Sequence, residues 1–447
     1  MPSKKRKVHL DGHLHPDFQG VASVLESILE RQDGGAAFAV YHQGECVVDL
    51  WGGSLDRKGT PWREDTMAPS FSTTKGVAST LVHIMADRDL IDYDARVAEY
   101  WPEFGQHGKE DITVRQVLTH QSGLYHIRQM VDDASRMRDW EYMVDAIERA
   151  EPTHEPGTRT GYHGLTYGYL VGEILQRVTG EKFPDLVQKE IAQPLGLDGM
   201  FIGAPDSEIH RAAELLWSRS SQLLQSRTPA TSTPKWLENL GDRSAEWLTR
   251  AISRLGFDLD IKSILEALVP RGISGFEFDS PETLRAAIPA ANGLFTARSL
   301  ARMYGALAVG GELDGVRLLS KATIDRASER QERADSLAVL PFDMRWRLGY
   351  HGTPTSRGVP RRGFGHFGFG GSGAWADPDR GLAVALVVNC GTGTPFGDLR
   401  IVRLGGAALA AAATRDGDPI NLIPWDLEQS FSRMCSLFER GGAPSWR

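Results

Sequence analysis

Cysteine is scarce in this chain of 447 residues, which has only Cys46, Cys390 and Cys435. An odd number of widely spaced cysteines forms neither a disulfide framework nor a Cys-rich zinc site. The count excludes a small disulfide-stabilised scaffold and is typical of a reducing compartment. We therefore expect a cytoplasmic protein.

Long apolar runs and an excess of basic residues are also lacking. No stretch approaches the roughly 18 apolar residues that a membrane-spanning helix requires. No apolar region follows the basic residues 4–7, so the pattern does not predict a secretory signal. Lys and Arg number 50 against 58 Asp and Glu, which gives a net charge of −8. This balance is atypical of nucleic-acid-binding proteins, so we expect neither a membrane nor a nucleic-acid partner.

Signatures of metal-dependent and of α/β-hydrolase-type hydrolysis are missing as well. His9, His13 and His15 lie close together, but without the ligand cluster of a metal site, and no His-Glu-x-x-His motif occurs. The nearest approach to Gly-x-Ser-x-Gly is residues 370–374, around Ser372, where the final glycine is absent. We expect neither a metal nor an organic cofactor.

The patterns that are present predict a helical middle between β-rich ends. Apolar residues at helical spacing predict helices at residues 17–32, 72–87, 113–120, 140–150, 165–178, 245–255, 261–268, 297–309 and 399–413. β-Prone runs predict strands at residues 36–41, 45–51, 345–350, 363–369, 373–377 and 382–388. We expect the strands from the two ends to share one antiparallel sheet.

This order of elements predicts two lobes. An α/β lobe comprises residues 15–70 and 290–415, and a mostly helical lobe comprises residues 71–289. Residues 1–14 and 416–447 are expected to be tails. The division agrees with the chain length, because a single hydrophobic core rarely grows to this size.

Residues 205–288 differ in character from the rest of the helical lobe. They combine Trp217, Trp236 and Trp247 with several Ser, Thr and Pro breaks. We interpret this segment as an insertion. Two roles stay open: a lid over an apolar substrate group, or a segment that packs on the helical lobe or on a second subunit.

The strongest local motif is Ser72-Thr73-Thr74-Lys75, at the start of a predicted helix. Residues three apart on a helix lie on the same face, and the helix start offers Ser72 a positive dipole and unpaired N–H groups. A serine hydroxyl becomes a nucleophile when a neighbouring base takes its proton. Lys75 can act as that base only if burial lowers its pKa, which its apolar flanks favour.

Two further segments strengthen this motif, since Ser-x-x-Lys alone occurs by chance in a chain of this length. Residues 161–164 (Gly-Tyr-His-Gly) precede a predicted helix, and residues 362–371 form a Gly-rich strand. Glycines in a strand often mark the close approach of a ligand or of another backbone. Together with residues 118–124, these motifs resemble the serine β-lactamase and DD-peptidase superfamily. The resemblance covers residues 15–410 and is strongest to class C β-lactamases and family VIII carboxylesterases.

The resemblance implies a fold and a set of catalytic residues. The fold is α+β, of the serine β-lactamase/DD-peptidase type, with an antiparallel sheet flanked by helices and a mostly helical lobe. Ser72 would be the acylated nucleophile and Lys75 the lysine of the SxxK motif. Tyr162 matches the tyrosine of the YxN motif, which would act with Lys75 as general base for acylation and as general acid for the leaving group. His163 occupies the variable position of that motif and is interpreted as a supporting residue.

The resemblance also implies an oxyanion hole and a third motif. The oxyanion hole would consist of two backbone N–H groups, those of Ser72 and Phe369. His366, Phe367 and Gly368 match the KTG-type motif and would bind substrate. For His366, the alternative is a strand histidine that only packs.

Two departures from the family pattern concern the substrate. Gly164 replaces the asparagine that helps to hold the side chain of a β-lactam, and His366 replaces the lysine that helps to hold the lactam carboxylate. We therefore expect a serine carboxylesterase that acts on short- to medium-chain esters. Acyl transfer and weak β-lactamase or peptidase activity are alternatives on the same site, and a non-catalytic penicillin-recognising or scaffold protein is the alternative from another class. The oligomeric state is open, with a homo-oligomer among the outcomes.

Overall fold

A six-stranded antiparallel sheet in the computed structural model is built from both ends of the chain. Its strands are β1 (Leu10–Leu14), β2 (Gly35–His42), β3 (Glu45–Gly53), β4 (Phe364–Phe367), β5 (Gly373–Asp377) and β6 (Leu382–Val388). Across the sheet they follow the order β1-β3-β2-β6-β5-β4, so the two chain ends meet where β2 pairs with β6. The structure describes residues 8–217, 260–332, 334, 336–340, 343–391, 399–418 and 422–423.

Helices account for most of the remaining regular structure. The longer ones are α1 (Gln19–Leu29), α2 (Thr74–Asp87), α3 (Trp140–Arg149), α4 (Thr166–Thr179), α5 (Ile261–Leu268), α6 (Ala297–Ala308), α7 (Lys321–Ser328) and α8 (Leu399–Asp416). Shorter helices are Val97–Tyr100, Val114–Leu118, Ile127–Met130, Phe183–Val187, Asp206–Ile209 and Pro281–Arg285. In the part of the chain that the structure describes, no helix combines the length and the apolar character needed to cross a bilayer.

Several strands of two or three residues lie outside the main sheet. The pairs are Ala68–Pro69 and Met200–Phe201 with Leu294–Phe295, Arg159–Gly161 with Ser336–Ala338, Leu216–Trp217 with Cys390–Gly391, and Glu312–Leu313 with Val316–Arg317. The sequence analysis predicts none of them, because a strand this short shows no periodicity. One of these pairs leads directly into the predicted active site.

Helices cover both faces of the main sheet. All eight residues of β2 are buried. Phe38 and Val40 belong to a hydrophobic cluster with residues of α1 and α8, whereas Ala39 and Tyr41 belong to the cluster on the other face, which includes α6. The period of two follows from the alternation of side chains along a strand. This architecture confirms the predicted α+β fold with an antiparallel sheet flanked by helices.

The edge strand β1 lies in a segment that the sequence analysis assigns to a tail. Its pairing runs from Leu10 opposite Gly52 to Leu14 opposite Val48. Both leucines pack against the apolar cluster beneath α1 and α8. The tail therefore ends before Leu10, because two apolar anchors in a polar stretch suffice to dock an edge strand.

The predicted strand at residues 345–350 is wrong, since this segment is irregular. Arg345 has a φ of 55°, which an extended strand does not tolerate. The buried Arg347 guanidinium donates to the carbonyl oxygens of Ser328, Arg345 and Arg361 at 2.8–2.9 Å. This guanidinium therefore ties the segment to residues 328 and 361, although the alternating apolar residues resemble the pattern of a strand.

The predicted insertion is described only at its two ends, residues 205–217 and 260–288. The predicted helix at residues 261–268 is confirmed as α5. The predicted helix at residues 245–255 lies outside the described residues, as do Trp236 and Trp247.

Candidate active site

Ser72 lies in a single 3₁₀ turn, Phe71–Thr73, that leads directly into α2. Phe71 has a left-handed φ of 45°, a conformation that costs a non-glycine residue about 1–2 kcal/mol and is concentrated at functional sites. The helix behind the turn is buried along almost its whole length. An ideal Cβ on Gly76 would overlap the Tyr304 hydroxyl, so this glycine permits the close packing that fixes the turn.

The Lys75 side chain is fully buried beside Ser72. Its Nζ lies 3.0 Å from Ser72 Oγ and donates to the carbonyl oxygens of Gly164 at 2.7 Å and Ala290 at 3.0 Å. Two N–H groups of Lys75 are thus used by the two carbonyl oxygens, and a further position on Nζ faces the Ser72 hydroxyl. Burial lowers the pKa of Lys75 well below its usual value. The neutral amine is therefore favoured, and its lone pair can accept the Ser72 proton.

The Tyr162 hydroxyl donates to Ser72 Oγ at 2.9 Å. The Tyr162 ring stacks near Trp346, with centroids 5.9 Å apart and planes 16° from parallel, and near His366, with centroids 6.3 Å apart. Lys75 Nζ lies 5.1 Å from the centroid of the Tyr162 ring. Burial raises the pKa of Tyr162, and the hydrogen bond to Ser72 opposes this only in part. The phenol therefore stays protonated and is able to supply a proton.

A short parallel strand pair positions Tyr162. Arg159–Gly161 pairs with Ser336–Ala338 immediately before the tyrosine. The Gly161 N–H donates to the His120 carbonyl oxygen at 2.9 Å. An ideal Cβ on Gly161 would overlap the Tyr125 ring. Residues 159–161, which lead into Tyr162, are therefore held by backbone hydrogen bonds and by packing against the Tyr125 ring.

His163 makes its hydrogen bonds to the neighbouring loop. Its Nε2 accepts from the Leu124 N–H at 3.3 Å and lies 2.6 Å from Ser122 Oγ. Its own backbone N–H donates to His120 Nδ1 at 3.1 Å. Burial lowers the pKa of His163 to about 3, so the ring is neutral. These contacts are those of a supporting residue.

His366 lies on β4 with its ring close to Tyr162. Its Nδ1 is 3.0 Å from the Phe367 carbonyl oxygen. Because a carbonyl oxygen only accepts, Nδ1 carries the proton of the neutral ring and Nε2 is left as an acceptor. Within the described residues, the buried Nε2 has no hydrogen-bond partner. Burial lowers the pKa of His366 well below its usual value.

Gly368, directly after β4, contacts the turn Phe71–Thr73 that carries Ser72. An ideal Cβ on Gly368 would overlap the Ser70 carbonyl oxygen and lie 2.9 Å from Thr73 Oγ1. A residue without a side chain is thus required for the strand to approach. The Phe369 ring then packs on Phe71 with centroids 5.4 Å apart. This contact brings the backbone of residue 369 alongside the turn that carries Ser72.

Phe367 differs from its neighbours in the third motif. Its ring belongs to the hydrophobic cluster on the far face of the sheet, with Trp375 and Ile401. Its backbone N–H donates to His351 Nε2 at 2.9 Å. The structure therefore brings His366 and Gly368 to the nucleophile side, whereas the Phe367 ring lies on the opposite side, as alternation along a strand requires.

Residues outside the motifs, which the sequence analysis missed, complete the site. The Ala290 carbonyl oxygen binds Lys75, and Trp346 stacks on Tyr162. A backbone carbonyl has no sequence signature, and Trp346 falls in the segment that imitates a strand. Neither could be recognised without the long-range packing that brings it to the site.

Gly368→Ala should lower kcat/KM for p-nitrophenyl butyrate by about 100-fold, because the Phe369 N–H is the expected oxyanion-hole donor and disturbing such a donor usually has an effect of this size. The new methyl group must displace β4 from the Ser70 carbonyl, and residue 369 would move with it. Gly20→Ala is the matched control, because nothing lies within 4 Å of an ideal Cβ there. Circular dichroism would establish that both variants are folded. Equal kcat/KM in wild type and Gly368→Ala would contradict the need for this close approach.

Ser72, Lys75 and Tyr162 thus form one hydrogen-bonded group beside an antiparallel sheet, which is the arrangement of a serine hydrolase with a β-lactamase-like fold. A family model described as Beta-lactamase matches residues 21–408. The chain belongs to this family, and it is a serine hydrolase. The resemblance inferred from the motifs is confirmed.

Named relatives include esterases. The chain is 38% identical to the esterase/beta-lactamase LipL of Mycobacterium tuberculosis (strain ATCC 25618 / H37Rv) over 394 residues, which cover 87% of this chain and 84% of LipL. Among solved structures, a family VIII carboxylesterase is 33% identical, with a TM-score of 0.74 over 90% of this chain and 100% of the other. A penicillin-binding protein homologue from Caulobacter crescentus is 36% identical, with a TM-score of 0.76 over 90% of this chain and 100% of the other.

Proposed function

We propose that the protein hydrolyses short- to medium-chain carboxylic esters through an acyl-Ser72 intermediate. The observation that carries this proposal is the position of Ser72 Oγ, which lies 3.0 Å from Lys75 Nζ and 2.9 Å from the Tyr162 hydroxyl oxygen. A nucleophile that contacts both a base and a proton donor can form and break an ester bond without a cofactor.

The acylation step assigns a separate role to each group. Ser72 Oγ attacks the ester carbonyl carbon while its proton passes to neutral Lys75 Nζ. The carbon–oxygen bond to the alcohol then breaks, and the Tyr162 hydroxyl supplies the proton that the departing oxygen needs. Tyr162 is reprotonated from Lys75, which restores both groups. The raised pKa of Tyr162 supports its role as donor, and the lowered pKa of Lys75 supports its role as base.

Deacylation repeats the same transfers with water. Water attacks the carbonyl carbon of acyl-Ser72, its proton passes to the Tyr162–Lys75 pair, and Ser72 Oγ leaves with a proton. In both steps the carbonyl oxygen becomes negatively charged. The backbone N–H groups of Ser72 and Phe369 are proposed to stabilise that charge, which the contact of Gly368 with the nucleophile turn supports.

The residues around the catalytic group favour neutral esters over β-lactams. Gly164 has no side chain to hold a lactam amide. His366 is neutral, and its free ring nitrogen is an acceptor. An acceptor nitrogen cannot replace the lysine ammonium that holds a lactam carboxylate. The acylation groups themselves are those that a β-lactam would also need, so slow lactam turnover is compatible with the proposal.

Kinetics on p-nitrophenyl esters of two to eight carbons, beside a chromogenic cephalosporin, would test this proposal. We expect kcat/KM for the best ester to exceed that for the cephalosporin by at least about 1,000-fold, the discrimination that unpaired buried polar groups can produce. A competing alcohol in the same assay would separate hydrolysis from acyl transfer by its products. Equal or faster turnover of the cephalosporin would reverse the assignment of substrate class.

A further inference from the structure

A leucine fills the space next to Gly164. An ideal Cβ on Gly164 would overlap Leu268 Cδ2 and would lie 2.9 Å from the Ala267 carbonyl oxygen. Only glycine fits at this position while α5 remains in place. Leu268, from the end of the predicted insertion, therefore occupies the space into which the asparagine of the YxN motif would extend.

Leu268 also packs against the hydrophobic cluster that contains Tyr162. Tyr162, Ala267 and Trp346 belong to one hydrophobic cluster, and Leu268 packs against it while remaining partly exposed. The carbonyl oxygen of Gly164, the residue that Leu268 covers, accepts the 2.7 Å hydrogen bond from Lys75 Nζ. Leu268 therefore borders the contact that orients the catalytic lysine.

Helix α5 is held firmly enough to serve as a wall. Asp260 caps its start, where Asp260 Oδ1 accepts from the Ser263 N–H at 3.2 Å and Oδ2 accepts from Ser263 Oγ at 2.6 Å. After its end, the Val269 carbonyl oxygen accepts from Arg128 at 2.9 Å. Leu265 anchors the middle of the helix in the main core. Leu268 is thus presented from a fixed backbone.

We infer that Leu268 is a specificity-determining residue that forms an apolar wall for the acyl chain of the ester. The inference rests on the proposed function and deepens it. The asparagine that Leu268 displaces would hold the side chain on the acyl part of a β-lactam, so the wall faces the acyl group. Contact with the leucine removes apolar acyl carbons from water, which stabilises the bound ester. A polar amide at the same place would lose its hydrating water without gaining a hydrogen-bond partner.

Changing the size of residue 268 should change the acyl-chain preference. The measured quantity is the ratio of kcat/KM for p-nitrophenyl octanoate to that for p-nitrophenyl acetate. Leu268→Ala should raise this ratio by about tenfold, and Leu268→Phe should lower it by a similar factor, since one or two methylene groups in a pocket change discrimination by this amount. In a second series, alkyl butyrates from methyl to hexyl, the preference should stay unchanged, because the alcohol lies away from the wall.

Leu265→Ala is the matched control, because it removes the same atoms from the same helix but from the main core. It should leave the ratio unchanged, even if it lowers stability more than Leu268→Ala does. Labelling of Ser72 by a fluorophosphonate and turnover of the acetate ester report separately on the catalytic group. If both persist while neither Leu268 variant shifts the acyl ratio, or if only the alcohol series responds, the wall assignment is overturned and the proposed function stands. If wild-type Ser72 is not labelled, the proposed function itself fails.

Discussion

Replacing Ser72 with alanine should abolish ester hydrolysis, with kcat falling by about 10⁴-fold or more. Without the hydroxyl no acyl-enzyme can form, and Lys75 and Tyr162 have no nucleophile to activate. A fluorophosphonate should label one peptide of the wild-type protein, the one that contains Ser72, and it should label nothing in Ser72→Ala. Both results can be read by mass spectrometry and by a p-nitrophenyl butyrate assay.

Ser372→Ala is the informative control for this experiment. Ser372 is the serine in the nearest approach to a Gly-x-Ser-x-Gly motif, and it is buried in the turn between β4 and β5. Its hydroxyl accepts from the Val388 N–H at 3.1 Å, which is a structural contact. The variant should keep both labelling and activity in proportion to its folded fraction. A label on Ser372, or full activity of Ser72→Ala, would show that the nucleophile is assigned to the wrong residue.

Lys75→Ala and Tyr162→Phe should each lower kcat by about 1,000-fold or more, the combined size of general acid and general base contributions. The double variant should be little worse than either single variant, because groups that act as a unit are far from additive. Measurement of kcat for the three variants on one alkyl ester, such as ethyl butyrate, whose departing alkoxide requires a proton, gives the coupling directly. Near-normal kcat in Tyr162→Phe would show that another group protonates the departing alcohol.

Lys75→Arg separates the role of Lys75 as a base from its role as a positive charge. A guanidinium keeps the charge but does not lose its proton, so this variant should be as inactive as Lys75→Ala. The wild-type enzyme should lose kcat/KM as the pH falls, because protonated Lys75 cannot accept from Ser72. The lowered pKa of Lys75 places this loss below the ordinary titration range of lysine. Activity in Lys75→Arg close to that of wild type would contradict the base assignment.

The three side chains that we propose as catalytic could be singled out from the sequence because each lies in a short contiguous motif, and the structure brings them within hydrogen-bond distance of one another. Ser72 and Lys75 are one helical turn apart, and Tyr162 stands in a loop bounded by glycines. Their partners could not be found in this way. Ala290 contributes a backbone oxygen, and Leu268 fills the space beside Gly164, so both contacts depend on long-range packing.

The same distinction holds for the fold. Residues 36–51 show a strand pair with a turn between them, and the structure has β2 and β3 there. Residues 345–350 show a similar alternation of apolar residues but form a loop, in which the Arg347 N–H donates to the Tyr350 carbonyl oxygen and the Gly349 N–H to the Leu118 carbonyl oxygen instead of to a strand. Periodicity reports which side chains are buried, and it does not report what satisfies the backbone between them.

The pairing of β2 with β6 has a consequence for folding during synthesis. During synthesis, β2, β3 and the Ser72 turn leave the ribosome long before β4, β5 and β6. A chain must close a very large loop before the middle of its sheet can form, which slows folding and delays it until translation is nearly complete. The emerging chain therefore carries Ser72 without Ala290, Trp346 or Gly368 beside it. The contacts of Gly368 with the turn around Ser72 and of Trp346 with Tyr162 therefore form only when the last part of the chain docks, so we expect a complete site only in the finished fold.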